Sequence, residues 1–215
     1  MEDLTKRAWE IFRQVQEKRP LVQCITNFVT VNDCANMILA AGGSPSMAHD
    51  IREAAEAAAA ASALVCNLGA IGDTDAMEAA GKAANLLGIP VVFDPVAAGG
   101  TSLRRAEAAR LMRAVHFSVI RGNASEIRFL AGEQSSGSGV DAGMFDEITE
   151  ENLSAAIGIV KGLAEKTGSV IAVSGRLDLI SDSRRTAVLR NGSPVMARIT
   201  GSGCMLTALT GAFCG

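Results

Sequence analysis

The stretch from residue 63 to residue 96, ALVCNLGAIGDTDAMEAAGKAANLLGIPVVFDPV, decides the fold class. Its two ends, ALVCNL and IPVVF, are short apolar runs, the pattern of strands covered on both faces rather than on one. The segment between them, DAMEAAGKAANLLG, reads as a helix. A strand, a helix and a second strand in this order form the repeating element of a parallel sheet. The same alternation extends in both directions. Upstream, Leu4, Ala8, Trp9, Ile11, Phe12 and Val15 have the spacing of an amphipathic helix that ends before Pro20. The strand LVQCITN follows, then the helix VTVNDCANMILAAGG with Gly42 and Gly43 as its stop, then the helix DIREAAEAAAAAS. Downstream come the helix LRRAEAARLMRA, the strand HFSVIRGN and the helix SEIRFLAG. A Gly/Ser-rich loop, GEQSSGSGVDAG, leads into the helix EENLSAAIGIVKGLAEKTG and the strand SVIAVSG.

The expected architecture is therefore α/β, with a central, mostly parallel sheet and helices on both faces. From residue 177 the habit changes. LDLISDSRRTAVLRNGSPVMARIT alternates and contains Asn191-Gly192, a turn signal between strands, so antiparallel edge strands are expected there. No repeat or linker divides the chain, and residues 1–215 read as one domain. The last segment, TALTGAFCG, stops about three turns into a helix, which reads as a chain incomplete at its C-terminal end.

Composition excludes several classes of function. With 48% apolar residues the chain has enough material for a sizeable core, and its formal net charge of -3 shows no basic surplus. No Lys/Arg cluster is interleaved with aromatics, so no nucleic-acid partner is expected. The charged N-terminus lacks the apolar core of a signal peptide, and no run is apolar enough to cross a bilayer. A cytoplasmic location without a membrane partner is the expectation. Five cysteines at wide spacing and two histidines suggest neither a disulfide framework nor a zinc site.

In open parallel sheets, ligands bind beyond the carboxyl ends of the strands. The polar residues at those ends are Asn27, Asp94, Arg121, Asn123 and Ser174, with Glu126 at the start of the next helix. Each has a plain structural alternative. Asn27 or Asn123 could cap a helix, Asp94 could serve the turn at Pro95, and Glu126 could complement a helix dipole. Arg121, closing an apolar strand, needs a carboxylate or an anionic ligand beside it.

The most specific feature is ITGSGCMLTAL, residues 199–209. Gly201, Ser202 and Gly203 can turn the backbone so that successive N–H groups face outward, and a helix starting near Cys204 adds its positive end. A tight turn with a buried thiol is the alternative. A helix N-terminus favours a thiolate, so Cys204 is the thiol best placed to act as base or nucleophile. Two carboxylates, an arginine and a nest of N–H groups suit phosphoryl transfer from a nucleotide with magnesium. The chain has neither G-x-x-x-x-G-K-[ST] nor a G-x-G-x-x-G after its first strand. The residues alone lead to an anion-binding α/β protein, a kinase of another lineage.

PLVQCITNFVTVNDCANMILAAGGSPSMA, VVFDPVAAGGTSLR, VIRGNASEI, GVD and ITGSGCMLTAL, in that order, resemble the hydroxyethylthiazole kinase family of the ribokinase-like fold. The resemblance runs from about residue 8 to the end. It implies ATP-dependent phosphorylation of the hydroxyl of 4-methyl-5-(2-hydroxyethyl)thiazole in thiamine biosynthesis and salvage, with ATP and Mg2+ as cofactors. It also implies a homotrimer with sites at subunit interfaces. By matched position it makes Cys204 the catalytic base, where most ribokinase-like enzymes carry aspartate. It makes Met47, Asn27 and Gly201 substrate contacts, Arg121 and Ser174 nucleotide contacts, and Gly201, Ser202 and Gly203 the phosphate pocket. Asp94 and Glu126 become the acidic pair for magnesium, with Asn123 in support. SDSRRTAV departs from the family, which tends to keep a glycine turn there. Another small-alcohol kinase of the same fold, or a non-catalytic protein retaining the thiazole site, remain the alternatives.

Overall fold

The computed structural model describes residues 4–132 and 147–215. The Gly/Ser-rich loop expected at 132–143 and the GVD motif lie almost wholly outside the described residues. The helices are α1 (Leu4–Lys18), α2 (Val31–Ala41), α3 (Ala54–Ala59), α4 (Thr74–Leu86), α5 (Ser102–Ala114), α6 (Ala124–Ala131), α7 (Leu153–Thr167) and α8 (Ser202–Cys214). The strands are β1 (Leu21–Ile25), β2 (Ser44–Ser46), β3 (Ala63–Asn67), β4 (Val91–Asp94), β5 (Val119–Asn123), β6 (Val170–Ser174), β7 (Asp178–Ser181) and β8 (Thr186–Leu189). They form one sheet in the order β2-β1-β3-β4-β5-β6-β7-β8. The pairs from β2 through β6 are parallel, while β7 and β8 run antiparallel.

Strands buried on both faces explain the continuous apolar runs. In β3 every residue is buried, and in β4 likewise. Alternation along each strand then divides the core in two. Leu64, Cys66, Val91, Phe93, Ile120 and Ile171 join the larger cluster, which is covered by α4 to α7. Val22, Cys24, Val65 and Val92 join a smaller one with Val15 of α1, Cys34 and Ile38 of α2, and Ala208 and Ala212 of α8. The same alternation puts Asn67 on the side of Val65, Asp94 on the side of Val92, and Arg121 on the side of Val119. The polar ends of β3, β4 and β5 therefore all face α8. That helix lies against the sheet through Thr207, Ala208, Gly211 and Ala212, residues small enough for close approach.

Two local expectations are corrected. The turn between the antiparallel strands falls at Asp182–Arg185, not at Asn191-Gly192, which follows β8. Asp182 makes this turn without glycine: Oδ1 accepts the N–H groups of Arg184 and Arg185 at 2.8 and 2.6 Å, and those donors hold its carboxyl below the usual range. The alternating pattern also does not continue as strand past β8, since Pro194–Arg198 forms a 3-10 turn. β2 was not expected. It is a three-residue edge strand with Pro45 at its centre, tolerated because an edge leaves one side of the backbone unpaired.

Candidate active site

The chain passes from β1 through α2 to β2 on one side, then returns to place β3 on the other side of β1. The crevice beyond the carboxyl ends of β1 and β3 is where such a reversal leaves room for a ligand. Asn27 follows β1, Met47 follows β2, Asn67 ends β3, Asp94 ends β4, and Ser174 ends β6. The N-terminus of α8 closes the crevice from above the sheet. That helix starts at Ser202, two residues earlier than Cys204, so the thiol sits within its first turn.

Gly201 precedes α8 with φ at +76°. A Cβ there would stand 2.1 Å from Thr30 Cγ2, so the turn requires glycine both for its conformation and for its contact with α2. At Gly203 a Cβ would stand 2.7 Å from Arg121 Nη1. The guanidinium therefore lies against the first turn of α8, where amide N–H groups lack carbonyl partners one turn back. Cation and positive helix end share one place, with the Asp94 carboxylate as the counter-charge beside them, an arrangement that favours an added anion. Arg121 Nε is buried without a hydrogen-bond partner among the described residues, in a side chain that is only 11% exposed. The rest of the guanidinium is held by Ser174 Oγ, to which Nη2 donates, and faces Asp94 Oδ2 at 3.9 Å.

Asp94 is 1% exposed. Its Oδ2 accepts from Asn67 Nδ2 at 3.1 Å and from Thr207 Oγ1 at 2.8 Å. Burial pushes the carboxyl up to about 6, against the pull of Arg121 and the Thr207 hydrogen bond, and Glu126 adds to the rise. A carboxyl whose folded value lies above its unfolded one holds its proton more tightly when folded. Its contribution to stability is thus complete below about pH 4 and is lost as pH rises through 6. Native stability is expected to fall across that window and Asp94→Asn to flatten the profile, with no net gain in stability, because asparagine leaves the buried Arg121 guanidinium without the carboxylate that faces it. Thermal melts of both proteins from pH 4 to 7.5 test this, and parallel profiles would refute it.

Glu126 has a different setting. It forms a capping box with Asn123, whose N–H donates to Glu126 Oε2 at 2.8 Å while Asn123 Oδ1 accepts from the Glu126 N–H at 2.9 Å. Its Oε1 accepts from the N–H of Ala97, a residue at φ +53°. The structural alternatives thus hold for Asn123 and Glu126, which still leaves carboxylate lone pairs at the rim. Among the described residues no cluster of three or more His, Cys, Asp or Glu is placed to hold a metal. Asp94 and Glu126 are the two carboxylates near this rim, and a magnesium ion that keeps most of its water needs no more than one or two.

Asn27 does not cap α2, whose N-cap is Thr30. Its Nδ2 donates to Cys204 Sγ at 3.4 Å. Met47 and Cys204 both border the small core cluster beneath α8. Sequence reading missed Thr30, Asn67 and Thr207. Asn67 carried a usable signal, a polar residue closing an apolar strand, while Thr207 lies inside a helix and gave none. A cavity of about 690 Å3 opens elsewhere, between Met112, Val115, Phe117, Phe129 and Leu163 at the amino ends of β5 and β6. It lies at the opposite ends of the strands from these groups.

The fold is ribokinase-like, with the polar ends of its central strands gathered at the N-terminus of α8. A solved pyridoxal kinase of Bacillus subtilis, bound to ADP, shares the fold at TM-score 0.61 with 16% identity, covering 90% of this chain and 82% of that one. The hydroxyethylthiazole kinase family pattern matches residues 12–215, and the chain belongs to that family. It is 46% identical to hydroxyethylthiazole kinase of Clostridium beijerinckii, over 99% of this chain and 77% of the relative. The structure of a hydroxyethylthiazole kinase protein from Pyrococcus horikoshii superposes at TM-score 0.84 with 38% identity, covering 97% of this chain and 76% of that one. Among the described residues no helix is long and apolar enough to cross a membrane.

Proposed function

We propose that this chain transfers the terminal phosphoryl group of ATP to the hydroxyl of 4-methyl-5-(2-hydroxyethyl)thiazole. The observation that carries the reading is the Cys204 thiol in the first turn of α8, with Asn27 donating to it and Arg121 packed against the adjacent Gly203. The thiolate of Cys204 takes the proton of the substrate alcohol as the alcohol oxygen bonds to phosphorus and the bond from phosphorus to the ADP oxygen breaks. Cys204 then holds that proton and returns it to solvent. The N–H groups of the Gly201-to-Cys204 turn and the Arg121 guanidinium face the charge of the transferring group. Both are in place before substrate arrives, so little reorganisation is needed.

Met47 offers a polarisable thioether to the heteroaromatic ring. Arg121 and Ser174 hold the nucleotide phosphates. Asp94 and Glu126 would hold a hydrated magnesium ion, which supplies neutralisation of phosphate charge when bound. The family resemblance supports a homotrimer with sites between subunits, and Phe28 and Val29, exposed beside Asn27, are apolar surface that such an assembly would cover. The reading places the enzyme in the cytoplasm. The test is ADP formation with magnesium-ATP and a panel of acceptors: the thiazole alcohol, a pyrimidine alcohol and ribose. Turnover that depends on the thiazole alcohol is expected. Faster turnover with another acceptor, or none by the folded chain, would overturn the reading.

A further inference from the structure

We infer that Asn27 is a positioning residue for the Cys204 sulfur rather than a contact for the thiazole ring, its direction set by a one-way hydrogen-bond chain from Cys34 through Thr30. The inference deepens the kinase reading above and rests on it for the role of Cys204.

The geometry leaves Asn27 one orientation. Its Oδ1 accepts the backbone N–H of Val29, the backbone N–H of Thr30 and the Thr30 hydroxyl, each at 3.1 Å. Backbone N–H groups cannot reverse their role, so a flipped carboxamide would face two donors with its own NH2. The amide nitrogen therefore has to point the other way, where it meets Cys204 Sγ at 3.4 Å. An N–H can only donate, so the sulfur is the acceptor.

The buried end of the chain fixes the same polarity. Thr30 is 2% exposed and spends its hydroxyl proton on Asn27, leaving its lone pairs for Cys34 Sγ at 3.9 Å. Cys34 is fully buried, and burial pushes its thiol up to about 11, so it keeps its proton and donates. Each bond runs in one direction: Cys34 to Thr30, Thr30 to Asn27, Asn27 to Cys204. A sulfur that receives an N–H bond has one lone pair fixed toward that donor. Any proton on it is directed away from Asn27 and into the crevice. The Thr30 methyl also rests against Gly201, so the chain that orients the sulfur and the turn that presents the phosphate pocket share one residue.

The test measures the sulfur directly. In a Cys214→Ser background, iodoacetamide labelling of Cys204 is followed by peptide mass spectrometry at fixed pH, alongside steady-state kinetics. Asn27→Ala is expected to slow Cys204 alkylation and lower kcat, each by about three- to tenfold, with KM for the thiazole alcohol unchanged. Thr30→Val keeps the methyl and removes the hydroxyl, and a two- to threefold loss of alkylation rate is expected, of the order of a weak neutral hydrogen bond. Thr30→Ser, which restores the hydroxyl, should recover the alkylation rate. The Thr30 pair decides the matter if Asn27→Ala does not fold. Unchanged alkylation in Asn27→Ala and Thr30→Val would overturn the inference, as would a raised KM with kcat unchanged. Absence of kinase turnover in the native chain would overturn the kinase reading instead, and the labelling pattern would still stand as evidence for the position of the sulfur.

Discussion

Replacing Cys204 by alanine is expected to lower thiazole-dependent kcat by about two to four orders of magnitude, the range of general base catalysis, and to leave KM for the alcohol near its native value. The split follows from where the sulfur sits. It lies in the first turn of α8 and borders a small apolar cluster, so alanine removes an acceptor for the alcohol proton without opening the crevice. The N–H groups of the turn, Arg121 and Ser174 are untouched, and residual turnover from positioning and charge stabilisation should persist. Alanine also leaves the Asn27 amide without its acceptor, a modest cost because the group can reach water at the crevice. Single-turnover phosphorylation assays measure the effect. A kcat within threefold of native would mean that the alcohol loses its proton to solvent or to the phosphoryl group, and that Cys204 only fills space.

The residues that made the fold legible are those whose environment is symmetric. β3 and β4 are buried on both faces, and their apolar runs announce a parallel sheet from either side. β2 has three residues and a proline, too short a run for periodicity, and exists because β1 offers it a free edge. The hairpin turn went unread because Asp182 does with a side chain what Asn-Gly does with backbone freedom. At the site, Cys204, Asp94, Arg121 and Ser174 could be found because each stands at a strand end or helix start. Thr30 could not. Its importance comes from contacts between segments far apart in sequence, to Gly201 through its methyl and to Asn27 and Cys34 through its hydroxyl. No local pattern records such a contact.

Gly201→Ala is expected to destabilise the protein by roughly 3 kcal/mol or more and to abolish measurable turnover, because two costs add at one atom. The first is conformational: φ at +76° costs an L-residue with a Cβ about 1 kcal/mol. The second is steric, since the new Cβ would lie 2.1 Å from Thr30 Cγ2, far inside van der Waals contact. Neither partner can yield cheaply. Thr30 is the N-cap of α2 and buried, and the N–H of Met205 is tied to the Gly201 carbonyl at 2.9 Å. Relief would have to displace the start of α8, carrying Ser202, Gly203 and Cys204 away from Arg121 and Asn27. The two costs separate in a double mutant. Thr30→Ser removes the clashing methyl and leaves Thr30 Cβ, 3.0 Å away, as the nearest atom, while the hydroxyl that orients Asn27 is kept. Urea unfolding of Gly201→Ala with and without Thr30→Ser should therefore show a favourable coupling of about 1–2 kcal/mol, with the αL cost remaining. Additive effects would mean that the turn relaxes by another route, and the contact between Gly201 and Thr30 would then not be what holds the phosphate pocket in shape.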